Sequence, residues 1–198
     1  MVKRYDCLKW LSDQLNNELV VTTLGATAHE WGDLSGRDSD LYLMGMGLVT
    51  PTGLGLALAL PRRRVVVLDG DGSLLMCPSV FSAVALKKPK NLLVICFDNQ
   101  CYNAVGGYPT ASATVADIAA MAQAAGLTSA TTIHSREEFN REVGAALKQP
   151  GPRLIVAKTE KWNAPVPPLD IDGPENKYRF ARHIEKTEGI KIFAGVKS

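Results

Sequence analysis

The sequence predicts an α/β protein, a doubly wound, mostly parallel sheet with helices on both faces. Three observations carry this. Val65-Val66-Val67-Leu68 and Leu92-Leu93-Val94-Ile95-Cys96-Phe97 are unbroken apolar runs, the pattern of strands covered on both faces rather than one. Such runs alternate along the chain with helical patterns, the order of βαβ units. The length, 198 residues, holds one domain of roughly 150 residues and an extension, but not two full domains.

Lys3–Asn17 spaces Leu8, Leu11 and Leu15, with Trp10, among polar residues and reads as an amphipathic helix. Leu19–Thr23 reads as a buried strand, followed by a Gly25-Ala26-Thr27 turn and a short helix around His29. Asp40–Gly45 is the second strand, and Thr52–Leu60, rich in Ala and Leu, a helix. The third strand spans Arg62–Asp69, its three arginines forming a solvated start. After Gly70-Asp71-Gly72-Ser73 a helical stretch runs to Lys88, where Pro89 ends it. Asn91–Phe97 is a strand, Val115–Ala125 an Ala-rich helix and Thr128–Ile133 a β-branched strand. Ser135-Arg136-Glu137-Glu138 is a capping box opening an amphipathic helix to Lys148, and Arg153–Ala157 is the last strand. Residues 1–158 form the domain. Beyond them, residues 159–198 change character: Trp162–Pro174 contains Pro165, Pro167, Pro168 and Pro174 and reads as an arm, followed by a short polar helix over Glu175–Lys186.

Composition excludes several classes. Lys+Arg 22 against Asp+Glu 20 leaves no basic stripe for nucleic acid. The cysteines, Cys7, Cys77, Cys96 and Cys101, include no C-x-x-C pair, which argues against a zinc or iron–sulfur cage and against a disulfide framework. Leu41–Leu60 is free of charge over 20 residues, but Gly45, Gly47, Pro51, Gly53 and Gly55 punctuate it, so no membrane span is expected. Without an apolar leader at the N-terminus, the expected location is cytoplasmic.

In open α/β sheets ligands bind beyond the carboxyl ends of the strands. Two such segments stand out, Asp69-Gly70-Asp71-Gly72-Ser73 and Asp98-Asn99-Gln100-Cys101. Gly70 and Gly72 let the backbone turn and approach a ligand, and Asp71 places a hard oxygen donor between them. The following helix start offers free amides to a phosphate. Asp71 with the Asn99 amide oxygen, and a backbone carbonyl such as that of Cys101, makes a plausible Mg²⁺–diphosphate site. The same tripeptide also suits a tight strand-to-helix turn with no ligand.

The pair G-D-G and Asn99, separated by the 26 residues Ser73–Asp98, resembles the signature of the thiamine-diphosphate enzymes, and the resemblance covers roughly residues 19 to 157. It implies the diphosphate-binding domain of that fold. Asp71 and Asn99 would be the side-chain metal ligands and Cys101 the carbonyl ligand. Gly25, Thr27, Gly70, Gly72 and Ser73 would hold the diphosphate. Met44 would accept from the aminopyrimidine through its carbonyl, and Met46 would be the apolar wedge bending the cofactor, unless it is a core methionine. Val105-Gly106-Gly107-Tyr108-Pro109-Thr110 resembles the segment that follows the metal loop in sulfopyruvate and phosphonopyruvate decarboxylases, while Ala28, Trp31 and Tyr102-Asn103 depart from their pattern. His29 is a candidate for proton transfer or a capping histidine. Arg179, Arg182 and His183 read as a solvated helix face, with contact to an anionic substrate the second option.

The family's activating glutamate lies on a pyrimidine-binding domain for which this length has no room. The resemblance therefore implies the β subunit of a split, Mg²⁺-dependent decarboxylase, most simply α2β2 with a pyrimidine-domain α subunit. Its substrate would be a 3-carbon 2-oxo acid with an anionic C3 group, converted to the aldehyde and CO₂. Alternatives are the β subunit of a 2-oxo-acid oxidoreductase or acetolactate synthase-like enzyme, or a non-catalytic cofactor-binding or regulatory subunit.

Overall fold

A computed structural model of the chain describes residues 1–193. After helix α1 (Arg4–Gln14) come strand β1 (Leu19–Thr22), helix α2 (Ala26–Leu34), strand β2 (Asp40–Tyr42) and helix α3 (Val49–Ala59). Strand β3 (Val65–Gly70) leads into a five-residue helix α4 (Asp71–Leu75) and then helix α5 (Val80–Lys87). Strand β4 (Leu92–Asp98) is followed by a small antiparallel hairpin, β5 (Cys101–Tyr102) and β6 (Tyr108–Pro109). Helix α6 (Ile118–Ala124), strand β7 (Ala130–Ile133), helix α7 (Arg136–Lys148), strand β8 (Arg153–Lys158) and helix α8 (Gly173–Glu188) complete the order.

The main sheet has six strands in the order β2-β1-β3-β4-β8-β7, every pairing parallel. Strand alternation sends its side chains into two cores. Val65, Val67, Leu92, Val94 and Cys96 pack with α3, α5, α6 and α8 on one face, where Phe180 and Ile184 of α8 are buried. Val66, Leu68, Leu93, Ile95 and Phe97 pack with α1, α2 and α7 on the other. The central strands read as continuous apolar runs for this reason: both faces are covered.

Local sequence explains where the elements begin and end. Ser135 caps α7 with the reciprocal capping box its sequence predicts. The helix expected to run unbroken from Ser73 to Lys88 is two helices, because Pro78 has no N–H to continue the ladder. The second strand ends at Tyr42 rather than Gly45. Its only sheet partner, β1, ends at Thr22, and Asn176 of α8 takes over the outer edge, accepting from the Tyr42 N–H (3.3 Å) and donating to its carbonyl (2.7 Å). A side chain thus satisfies the edge that would otherwise invite another strand. The proline-rich arm has no regular structure between Thr159 and α8. Among the described residues no helix is long and apolar enough to cross a membrane.

Candidate functional site

The chain leaves β1 toward β2 but leaves β3 toward β4, so the winding reverses between β1 and β3 and their carboxyl ends frame a crevice. A cavity of about 140 Å³ opens there. It collects residues from the ends of β1, β3 and β4: Gly25, Thr27, Met46, Gly70, Asp71, Gly72, Ser73, Asn99 and Cys101 all line it. Among the described residues Asp71 is the only carboxylate and Arg4 the only cationic group that line it.

Asp71 is 3% exposed. Its Oδ2 accepts the Thr110 hydroxyl, and Ser112 Oγ lies 3.0 Å from the same oxygen and 2.7 Å from Asp98 Oδ1. Among the described residues both side-chain donors go to Oδ2 and none to Oδ1. Burial raises the Asp71 pKa above the ordinary carboxylate range, the Thr110 hydroxyl pulls it back, and the neighbouring Asp98 raises it again. Asp98 is buried and ion-paired to Lys158 Nζ at 2.5 Å, which supplies the one positive charge in this cluster. Asn99 Oδ1 accepts from the Cys101 N–H at 3.1 Å, an Asx turn that fixes the amide while leaving its oxygen a second lone pair.

The glycines are required for different reasons. Gly25 has φ +77°, a conformation that strains other residues. A Cβ on Gly72 would stand 2.2 Å from the Tyr102 ring. At Gly70 it would meet nothing within 4 Å, so the glycine there leaves open space for a ligand to approach the backbone. Ser73 Oγ accepts from the Gly47 N–H (3.1 Å), tying the loop that carries Met46 to the start of α4.

The remaining expected residues lie elsewhere. Met44 is 78% exposed and its side chain does not line the cavity. His29 Nδ1 accepts from the Leu169 N–H at 2.9 Å, so it fastens the arm to α2. Arg179 donates to the Asp40 carbonyl and Arg182 pairs with Glu185, on a helix that packs along β2. These contacts make that face structural and remove it as the reader of an anion in the cavity.

Sequence reasoning passed over four groups that shape the site: Arg4, Thr110, Ser112 and Asn163. Thr110 closes the Val105–Thr110 segment already noted, but its role depends on the hairpin returning it to Asp71 across 39 positions. Nothing local in the sequence signals that return.

Residues 32–157 match the family described as thiamine pyrophosphate enzyme, C-terminal TPP binding domain. The chain belongs to this family. It is 33% identical over 183 residues to the sulfopyruvate decarboxylase subunit beta of Methanococcus maripaludis, covering 92% of this chain and 98% of that protein. It is 32% identical over 187 residues to the sulfopyruvate decarboxylase of Methanosarcina acetivorans, covering 92% of this chain but 48% of that longer one. Among solved structures, the thiamine diphosphate-dependent 4-hydroxybenzoylformate decarboxylase of Rhodococcus jostii superposes with a TM-score of 0.69 at 22% identity, covering 82% of this chain and 33% of that one. That likeness shows the shared fold.

The residues present suit a thiamine pyrophosphate domain. No group of three or more His, Cys, Asp or Glu converges among the described residues, so a cation held at Asp71 would need its remaining ligands from neutral oxygens such as an amide, a backbone carbonyl and its own ligand. That hard-oxygen set, completed by phosphate, is the one Mg²⁺ takes. Gly70, with open space where a Cβ would be, and Asp71 line the same cavity.

Proposed function

We propose that this chain is the diphosphate-binding β subunit of a thiamine-diphosphate- and Mg²⁺-dependent decarboxylase that acts on a 2-oxo acid with an anionic C3 group, sulfopyruvate or phosphonopyruvate. The observation that carries the reading is the meeting of Asp71, Asn99 and the glycine cradle in one cavity lined by a single carboxylate among the described residues. Asp71 Oδ1, Asn99 Oδ1 and the Cys101 carbonyl would hold Mg²⁺. Gly25, Thr27, Gly70, Gly72 and Ser73 would cradle the diphosphate. Met46 would wedge the cofactor, and the Met44 carbonyl would accept from its aminopyrimidine. Bound there, thiamine diphosphate supplies the electron sink for loss of CO₂.

With its only carboxylate in the metal set, the cavity has no group left to activate the pyrimidine. A partner α subunit would supply that glutamate. The surface around the cavity fits such a partner: Met44, Leu48, Met76, Val105 and Tyr108 are large apolar side chains more than half exposed. Met76 lies against Gly47, Val105 lines the cavity and Tyr108 pairs with Tyr102, so these three stand beside the cavity. The relative in which the matching part is half of one longer chain fits the same division of labour. An α2β2 assembly is the simplest symmetric form. The four unpaired cysteines suit a reducing cytoplasm.

The test is turnover. Co-purified with a pyrimidine-domain partner, the chain should release CO₂ and the C3-substituted aldehyde from sulfopyruvate or phosphonopyruvate, with thiamine diphosphate and Mg²⁺ required and no electron acceptor. Asp71→Ala should abolish Mg²⁺-dependent cofactor binding by calorimetry. Turnover that requires an electron acceptor, or cofactor affinity unchanged in Asp71→Ala, would refute the assignment.

A further inference from the structure

Arg4 stands in the wall of the cofactor cavity, 4% exposed, and is the only cationic group lining it among the described residues. Its Nε and Nη2 donate to the two oxygens of Glu30, both at 2.8 Å, and Nη2 donates also to Asn163 Oδ1 at 2.9 Å. A guanidinium has five N–H groups. Three are used, and the two on Nη1 have no acceptor among the described residues. Nη1 is nevertheless not sealed within the protein, since it is absent from the buried polar atoms that lack a partner. Arg4 itself lines the cavity.

The grip on Arg4 is elaborate. Glu30 is 1% exposed and its Oε1 also accepts from the Ala164 N–H at 2.9 Å, so helix α2 and the arm together fix the guanidinium. A buried ion pair adds little to stability over apolar packing of the same shape, so the arrangement calls for a use. Beside it, Thr23 and Thr27 are 6% and 5% exposed, line the cavity and make no side-chain hydrogen bond among the described residues. Helix α2, nine residues long, starts at the cavity with Gly25 as its N-cap and no side-chain cap, leaving its first amides open.

We propose that Arg4 Nη1 and the Thr23 hydroxyl, beside the Gly25–Thr27 turn proposed above for the diphosphate, add a subsite for a tetrahedral phosphorus or sulfur oxyanion. Two sources share this chemistry: the terminal phosphate of the cofactor and the C3 phosphonate or sulfonate of the substrate. The inference rests on the decarboxylase reading above for the identity of both. Arg4 belongs in such a subsite because its planar fork can be clamped on one edge by Glu30 while the other edge stays free for an oxyanion.

The test uses the complex with its pyrimidine-domain partner and two variants. Arg4→Met combined with Glu30→Gln removes the guanidinium without stranding a buried carboxylate, and Arg4→Lys keeps the charge but loses the fork. Thermal melts establish that each is folded, and Arg4→Lys is read alone if the double variant is not. Binding of thiamine diphosphate with Mg²⁺ is measured by calorimetry without substrate, and KM is measured at saturating cofactor. Cofactor affinity at least tenfold weaker with KM unchanged assigns the subsite to the cofactor phosphate. Unchanged cofactor affinity with KM raised at least tenfold assigns it to the substrate. If neither moves by more than twofold in a folded variant, Arg4 is a structural partner of Glu30 and the proposal is overturned. An unsubstituted complex that turns over no anionic 2-oxo acid refutes the decarboxylase reading instead, and the binding measurement, which needs no turnover, still decides Arg4.

Discussion

Thr110→Val tests the hydroxyl clamp on Asp71. Ser112 has one hydroxyl proton and two carboxylates within reach, at 2.7 Å from Asp98 and 3.0 Å from Asp71, so the shorter bond claims it. Thr110 is then the full-time donor to Asp71, and valine removes that donor while keeping the shape. A hydrogen bond to a buried charged group contributes roughly 1.5–3 kcal/mol, equivalent to about a tenfold to 150-fold change in an equilibrium. Loss of the bond also frees the carboxylate to rotate, and removing a hydrogen-bond partner of a metal ligand commonly costs about 10–100-fold in affinity. The sign follows from the charge. Burial already raises the Asp71 pKa, so without Thr110 the neutral acid is favoured further and Mg²⁺ must displace a proton to bind. Mg²⁺ affinity, titrated calorimetrically with thiamine diphosphate present, should fall at least tenfold in Thr110→Val at neutral pH and recover partly at higher pH. Thr110→Ser should stay within threefold of the parent. An affinity in Thr110→Val that is unchanged or tighter would show that the hydroxyl does not prepare Asp71 for a cation.

Three further outcomes are expected. In helix α3, Gly53→Ala places a Cβ 2.2 Å from Val67 Cγ2 and should destabilise by about 1–3 kcal/mol, whereas Gly55→Ala meets nothing within 4 Å and should stabilise by about 0.5–1 kcal/mol; equal melting shifts for the two would contradict the packing. Asn176→Ala strips both partners from the Tyr42 backbone at the sheet edge and should cost about 1–3 kcal/mol in denaturant unfolding, with faster amide exchange at Tyr42 than elsewhere in β1 and β2. His183 has its pKa lowered, chiefly by burial and next by Arg63, and its Nε2 has no partner among the described residues. The unfolded chain therefore takes up the proton first, so stability is present above about pH 6.5 and declines as pH falls toward the folded pKa. His183→Gln should make the melting temperature less dependent on pH between about 7 and 5, and an unaltered slope would remove His183 as its source.

Much of this was legible because it depends on short-range pattern. Unbroken apolar runs report burial on both faces, and Ser135 with Glu138 reports a helix start. The G-D-G turn and Asn99 could be placed together because parallel βαβ units bring successive strand ends to one edge of a sheet. What was missed depends on pairs distant in sequence. Arg4 meets Glu30 across 26 positions and Asn163 across 159. Arg4, as one of two basic residues opening the chain, looks like a solvated charge until the arm folds back over it. The break at Pro78 is a different kind of miss: the signal was local, but the apolar spacing on either side outweighed it.

The same long-range pairs change what the arm does. Proline-rich composition implies only that residues 162–174 cannot be regular helix or central strand. In the structure the Leu169 N–H donates to His29, Leu169 Cδ1 lies 2.6 Å from where a Cβ on Gly32 would stand, and Ala164 and Asn163 hold Glu30 and Arg4. Each contact lands on α2 or on the Arg4 guanidinium beside it, so the arm braces the side of the cavity formed by α2 and Arg4. Met44, Leu48, Met76 and Tyr108, large apolar side chains more than half exposed, have no such brace from the arm among the described residues. One part of the site is thus completed by the arm while the apolar patch is left uncovered, which is the asymmetry that the proposed α subunit would meet.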